Sequence, residues 1–120
     1  MADARLRSWR QDVAARAHEQ METRPWVGAV DVAITFWLPR PKGHFGSGRN
    51  ADKLRPSASL FPAVTPDLDK LVRSVLDALT GVCFEDDRQV VGLLVTKRYA
   101  GETPVGMTCS VTPTRPDDAP

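Results

Sequence analysis

A chain of 120 residues with 42% hydrophobic and 26% charged side chains suits one soluble globular domain that buries about two thirds of its unfolded surface. No apolar run approaches the roughly 20 residues that span a bilayer and no signal-peptide pattern opens the chain, so a membrane protein is excluded and the cytosol is expected. Two cysteines, Cys83 and Cys109, exclude a disulfide framework and lack zinc-site spacing; buried free thiols are expected, and the net charge of +1 does not by itself call for nucleic acid.

Residues 4–22 read as a helix with Asp3 available as its N-cap and an apolar stripe of Leu6, Trp9, Val13, Ala17 and Met21. Arg24-Pro25 breaks it. From Val27 to Leu38, Val30, Val32, Ile34 and Phe36 alternate with Asp31, Ala33, Thr35 and Trp37, which predicts a long strand.

Residues 39–65 follow, with Gly43, Gly46 and Gly48, prolines 39, 41, 56 and 62, and hardly any periodicity. Loops longer than about 12–15 residues are usually functional or disordered, so a flap that orders on a partner is expected. The string Gly-His-Phe-Gly-Ser-Gly-Arg-Asn looks like a phosphate cradle but lacks the Gly-Lys-Ser/Thr ending of a P-loop. The loop is basic: Arg40, Lys42, Arg49, Lys53 and Arg55 face only Asp52. Such a patch suits a polyanion, although a solvated loop explains it equally well.

Leu68, Leu71, Val72, Val75, Leu76 and Leu79 form one helical stripe, closed by Thr80-Gly81. Asp86 and Asp87 occupy the next turn, before a strand over 89–99 whose first half, Gln89–Val95, reads as buried. If helix start and strand start meet at one edge, Asp67, Asp69 and Asp87 converge as a hard-cation site. Each acid also has an ordinary explanation, since aspartates cap helix starts and populate turns. Arg73 can pair with Asp69 or Asp77 at i,i+4. After a turn at Gly101–Pro104, Val105, Met107, Cys109 and Val111 alternate as a last strand. The order predicts an α+β domain over 1–112, a small mixed or antiparallel sheet packed with helices, and a flexible tail over 113–120.

Pro-Asp-Leu-Asp-x-Leu-x-Arg-x-x-Leu-Asp-Ala-Leu-Thr-Gly, then Asp-Asp-x-Gln-Val-Val and Lys-Arg-Tyr, resembles the RusA-type Holliday junction resolvases of bacteria and their phages. The match is dense over 66–99. The resemblance implies a homodimer that binds four-way or other branched DNA in recombination and repair and makes Mg²⁺-dependent nicks. It maps the metal-holding aspartates onto Asp67, Asp69 and Asp87 and a catalytic lysine onto Arg73, which keeps the charge but cannot act as a base at neutral pH. It makes Arg40, Lys42, Arg49, Lys53 and Arg55 DNA contacts. The family usually opens with a strand and a basic loop; this chain opens on the first helix, so a RusA-like fold short of that strand would expose a sheet edge. Two rival readings are a catalytically impaired DNA-binding dimer and a magnesium phosphohydrolase acting on nucleotides.

Overall fold

Helix α1 (Ala4–Gln20) is followed by strand β1 (Val30–Leu38), the long connection, helix α2 (Leu68–Leu79), strand β2 (Val90–Tyr99) and strand β3 (Gly106–Pro113). The computed structural model describes residues 4–21 and 24–115. The Asp3 cap, the side chains of Leu6 and Trp9, and the tail beyond residue 115 lie outside the described residues.

The sheet has the order β2-β1-β3, with β1 parallel to β2 and antiparallel to β3. This is the expected α+β arrangement with a mixed sheet. The alternation in β1 is realised: Val30, Val32, Ile34 and Phe36 are buried, and the residues between them are half-buried. Val75, Ala78 and Leu79 of α2 join them, with Val13 of α1 and with Cys83 and Phe84 after α2. Core burial of this kind is worth about 1.5–3 kcal/mol per large side chain and supplies most of the cohesion.

A parallel neighbour needs a crossover, and α2 provides it. A short turn joins its C-terminus to β2, with the Gly81 amide donating to the Phe84 carbonyl (2.7 Å) and Gly81 at φ 85°. The helix therefore runs back against the strands. A bulge at Val30/Asp31 sets the register, and Gly92 stands opposite Asp31, where a Cβ would collide with the carboxylate.

Three expectations need correction. β1 starts at Val30 rather than Val27, because Gly28 adopts φ 100° and breaks the extended run. β2 is not buried: it is an edge strand, with Val91 63%, Leu93 47% and Leu94 69% exposed. Cys83 is buried as expected, but Cys109 on the β3 edge is exposed. Just beyond β3, Thr114 donates its amide to the Ala29 carbonyl and its hydroxyl to Asp31.

Candidate functional site

Asp67 is the N-cap residue of α2, with extended backbone (φ −73°, ψ 142°) and a carbonyl that accepts from Leu71. A cap aspartate ordinarily spends its carboxylate on the amides of the first turn. Here no side-chain cap bond forms. Asp69 lies in that same first turn, and both residues are exposed. Two hard oxygen donors thus stand at the positive end of a helix dipole, and the Asp67 carboxylate forms no cap bond there.

The second acidic turn is built differently. Asp86 caps the short helical turn Asp87–Gln89, accepting from the Arg88 amide at 2.9 Å, while the Gln89 amide oxygen accepts from the amides of Glu85 and Asp86. The Arg88 amide, ahead of the Arg88 charge, holds the Asp86 carboxyl below its usual range. Gln89 also donates to the carbonyls of Trp26 and Gly28, tying the turn to the start of β1. Asp86 and Gln89 of the Asp-Asp-x-Gln motif are thereby structural, and Asp87 is left exposed beside them.

One chain does not bring Asp87 to Asp67 and Asp69, contrary to the convergence expected from the sequence. Lys97, near the end of β2, bonds the carbonyls of Val64 and Pro66, so Asp67 lies level with that end. Asp87 precedes Val90 at the other end, and Val90 to Lys97 spans about 23 Å of strand. The 12 residues of α2 give a consistent separation of about 18 Å. No group of three or more His, Cys, Asp or Glu side chains suited to a metal occurs among the described residues.

Arg73 is exposed on α2 one turn beyond Asp69, and among the described residues neither Asp69 nor Asp77 closes an ion pair with it. The basic loop is more folded than its composition suggests. The Gly46 amide donates to Lys53, the Arg55 amide to His44, and Phe45 bridges Leu54. A Cβ at Gly46 would lie 2.7 Å from the Asn50 carbonyl oxygen, which accounts for the glycine.

The five basic residues divide. Arg40 stacks over Tyr99, 4.3 Å from the ring centroid, and donates to Ser59 O (2.7 Å) and to His44 Nδ1 (3.1 Å). Arg55 Nε donates to Phe45 O at 2.7 Å. Both guanidiniums hold the loop in place. Lys42, Arg49 and Lys53 are exposed and available to phosphates. Sequence reasoning passed over Lys97, Tyr99 and Gln89; the only signal was their place in the matching motifs.

The family model described as Endodeoxyribonuclease RusA matches residues 1–110. Among curated proteins, the uncharacterized protein YqaN of Bacillus subtilis (strain 168) is 32% identical over 99 residues, covering 82% of this chain and 69% of YqaN. No solved structure matches.

Proposed function

Because the chain belongs to the RusA endodeoxyribonuclease family, we propose that it is a Mg²⁺-dependent, structure-selective endonuclease that nicks Holliday junctions or other branched DNA in recombination and repair. The observation that carries this is the start of α2, where Asp67 and Asp69 are exposed and Asp67 does not cap its own helix. Magnesium needs few protein carboxylates and takes the rest of its octahedron from water and substrate phosphate, so this donor pair fits it. Bound there, the ion would lower the pKa of a water and offset charge on the leaving oxygen. Arg73, one turn further on, faces the scissile phosphate as a fixed positive charge and not as a base. Lys42, Arg49 and Lys53 hold the sugar-phosphate backbone of a junction arm.

The separation of Asp87 supports a homodimer. β2 presents a long apolar edge with unpaired backbone groups, a surface that favours pairing with another strand. Antiparallel pairing of two such edges about the Gly92–Leu94 segment would lay the Asp87 turn of one copy level with the strand end of the other. That is the end that carries Asp67 and Asp69. Two equivalent sites then follow from the two-fold axis, as paired nicks require.

The test is Mg²⁺-dependent nicking of synthetic four-way junctions, with linear duplex and nucleotides as alternative substrates. Nicking of the junction alone supports the proposal. Hydrolysis of nucleotides alone would replace it with a phosphohydrolase, and junction binding without nicking would make the chain a DNA-binding dimer.

A further inference from the structure

Lys97 lies on β2 in register with the buried Phe36 of β1, at a position where the neighbouring strand places a hydrocarbon side chain. Its amine is turned to the chain that enters α2. It donates to the carbonyl of Val64 and, at 3.0 Å, to that of Pro66. The Lys97 side chain lies half-buried along the sheet while its amine bonds the two carbonyls at the surface; charge-assisted bonds of this kind are stronger than neutral ones.

The place of these two carbonyls is what matters. Val64 and Pro66 flank the last turn before Asp67, whose own backbone begins the helix. That stretch is otherwise loosely held: residues 63–67 are all exposed, and the Asp67 carboxylate makes no cap bond to fix it. Among the described residues, Lys97 supplies the side-chain bonds from the sheet to this segment. Its neighbour Tyr99, one residue pair further along β2, carries the Arg40 stack that holds the other end of the connection.

We propose that Lys97 is a positioning residue: its ammonium fixes the backbone entering α2 and so sets where the Asp67 and Asp69 carboxylates stand. The proposal rests on the reading of those carboxylates as the metal-holding pair. Residues that orient metal ligands typically change metal affinity by about 10–100-fold when removed. Lys97 has no part in holding substrate on this account, which separates it from the basic loop.

The experiment compares the intact chain with Lys97→Met, which keeps length and loses the charge, and Lys97→Arg, which keeps it. Hydrogen exchange is followed at the amides of residues 71–74, the first that bond back to the helix start, and nicking of a four-way junction is titrated with Mg²⁺. For Lys97→Met, faster exchange confined to 71–74 is expected. A Mg²⁺ half-saturation raised about 10–100-fold is expected with it, while junction affinity in Ca²⁺ stays within about twofold. Lys97→Arg should recover most of both effects. Unchanged exchange at 71–74 overturns the proposal, as does a loss of junction affinity at unchanged Mg²⁺ dependence, which would make Lys97 a DNA-binding residue. Should Lys97→Met fail to fold, Lys97→Arg and Lys97→Gln carry the same comparison. The exchange measurement needs no catalysis, so a chain that never nicks DNA sinks the nuclease reading and leaves the tether itself still decidable.

Discussion

The guanidinium of Arg40 lies over the ring of Tyr99, 4.3 Å from its centroid, and joins the start of the long loop to the end of β2. His44 meets the same ring edge-on, at 5.4 Å between centroids. The first part of the loop is therefore held against the sheet by one aromatic side chain. Tyr99→Ala should release it: cleavage by a protease at the Gly43–Gly48 segment should rise, and stability should fall by about 0.5–2 kcal/mol as the cation–π stack and its packing are removed. Equal cleavage of variant and parent would show that the internal bonds of the loop suffice.

Neutralising Lys42, Arg49 and Lys53 together should flatten the dependence of log junction affinity on log salt by roughly 0.9 for each duplex phosphate that the variant no longer neutralises. Thermal stability should not change, because these side chains make no bonds that hold the fold among the described residues. An unchanged salt slope would assign the loop to solvated surface.

Asp67→Asn, Asp69→Asn and Asp87→Asn should each abolish nicking and leave junction binding intact. The separation of Asp87 adds a sharper outcome. If sites form between copies, mixing Asp67→Asn with Asp87→Asn protein should restore activity, since one of the two sites in the mixed dimer has all its carboxylates. Sites within one chain give no recovery on mixing. Leu94→Asp, on the exposed face of β2, should reduce dimer formation, measured by sedimentation.

Helix α2 and strand β1 were legible because a buried stripe and a buried alternation leave their periods in the sequence, and the start of α2 at Pro66-Asp67 was legible from its breaker. The meeting of Asp67, Asp69 and Asp87 was misjudged, although the reason was visible. Thr80 to Gln89 is a short connection, so the end of α2 must adjoin the start of β2, which leaves the helix start a helix-length away. The exposure of β2 was hidden for another reason. Val91, Leu93 and Leu94 are as apolar as core residues, and composition does not say whether a strand lies at the centre of a sheet or at its edge. The tether from Lys97 joins residues more than 30 positions apart, and no local pattern marks it.

Arg73 carries a test of its own. With a purely electrostatic role, Arg73→Lys should preserve or raise the nicking rate and Arg73→Ala should lower it by about 10²–10³-fold, as for the removal of one transition-state donor. Rescue from near-zero activity by Arg73→Lys would mark an impaired enzyme. Unaltered cleavage by Arg73→Ala would remove the residue from the site.

The turn capped by Asp86 should weaken in acid. Its carboxyl is held below the usual value in the folded chain by the Arg88 amide, so its contribution is fully present above the unfolded value of about 4. It is lost as pH falls through the lower folded value. Melting temperatures of the parent and of Asp86→Ala should differ by a constant amount from pH 5 to 8, and the gap should narrow as pH falls below the unfolded value of about 4. A gap that stays undiminished through the acid range would mean that the cap does not depend on the charge.

The central place of β1 has a consequence for how the chain is made. Both strands that pair with it come later in the sequence, β2 from Val90 and β3 from Gly106. At about 5–20 residues per second, the ribosome finishes Leu38 roughly 4–15 s before it reaches Pro113. Throughout that interval Val32, Ile34 and Phe36 have no complete sheet to join. A chain made only as far as β2 leaves the antiparallel edge of β1 without its partner, so the sheet closes only when the last strand has been made.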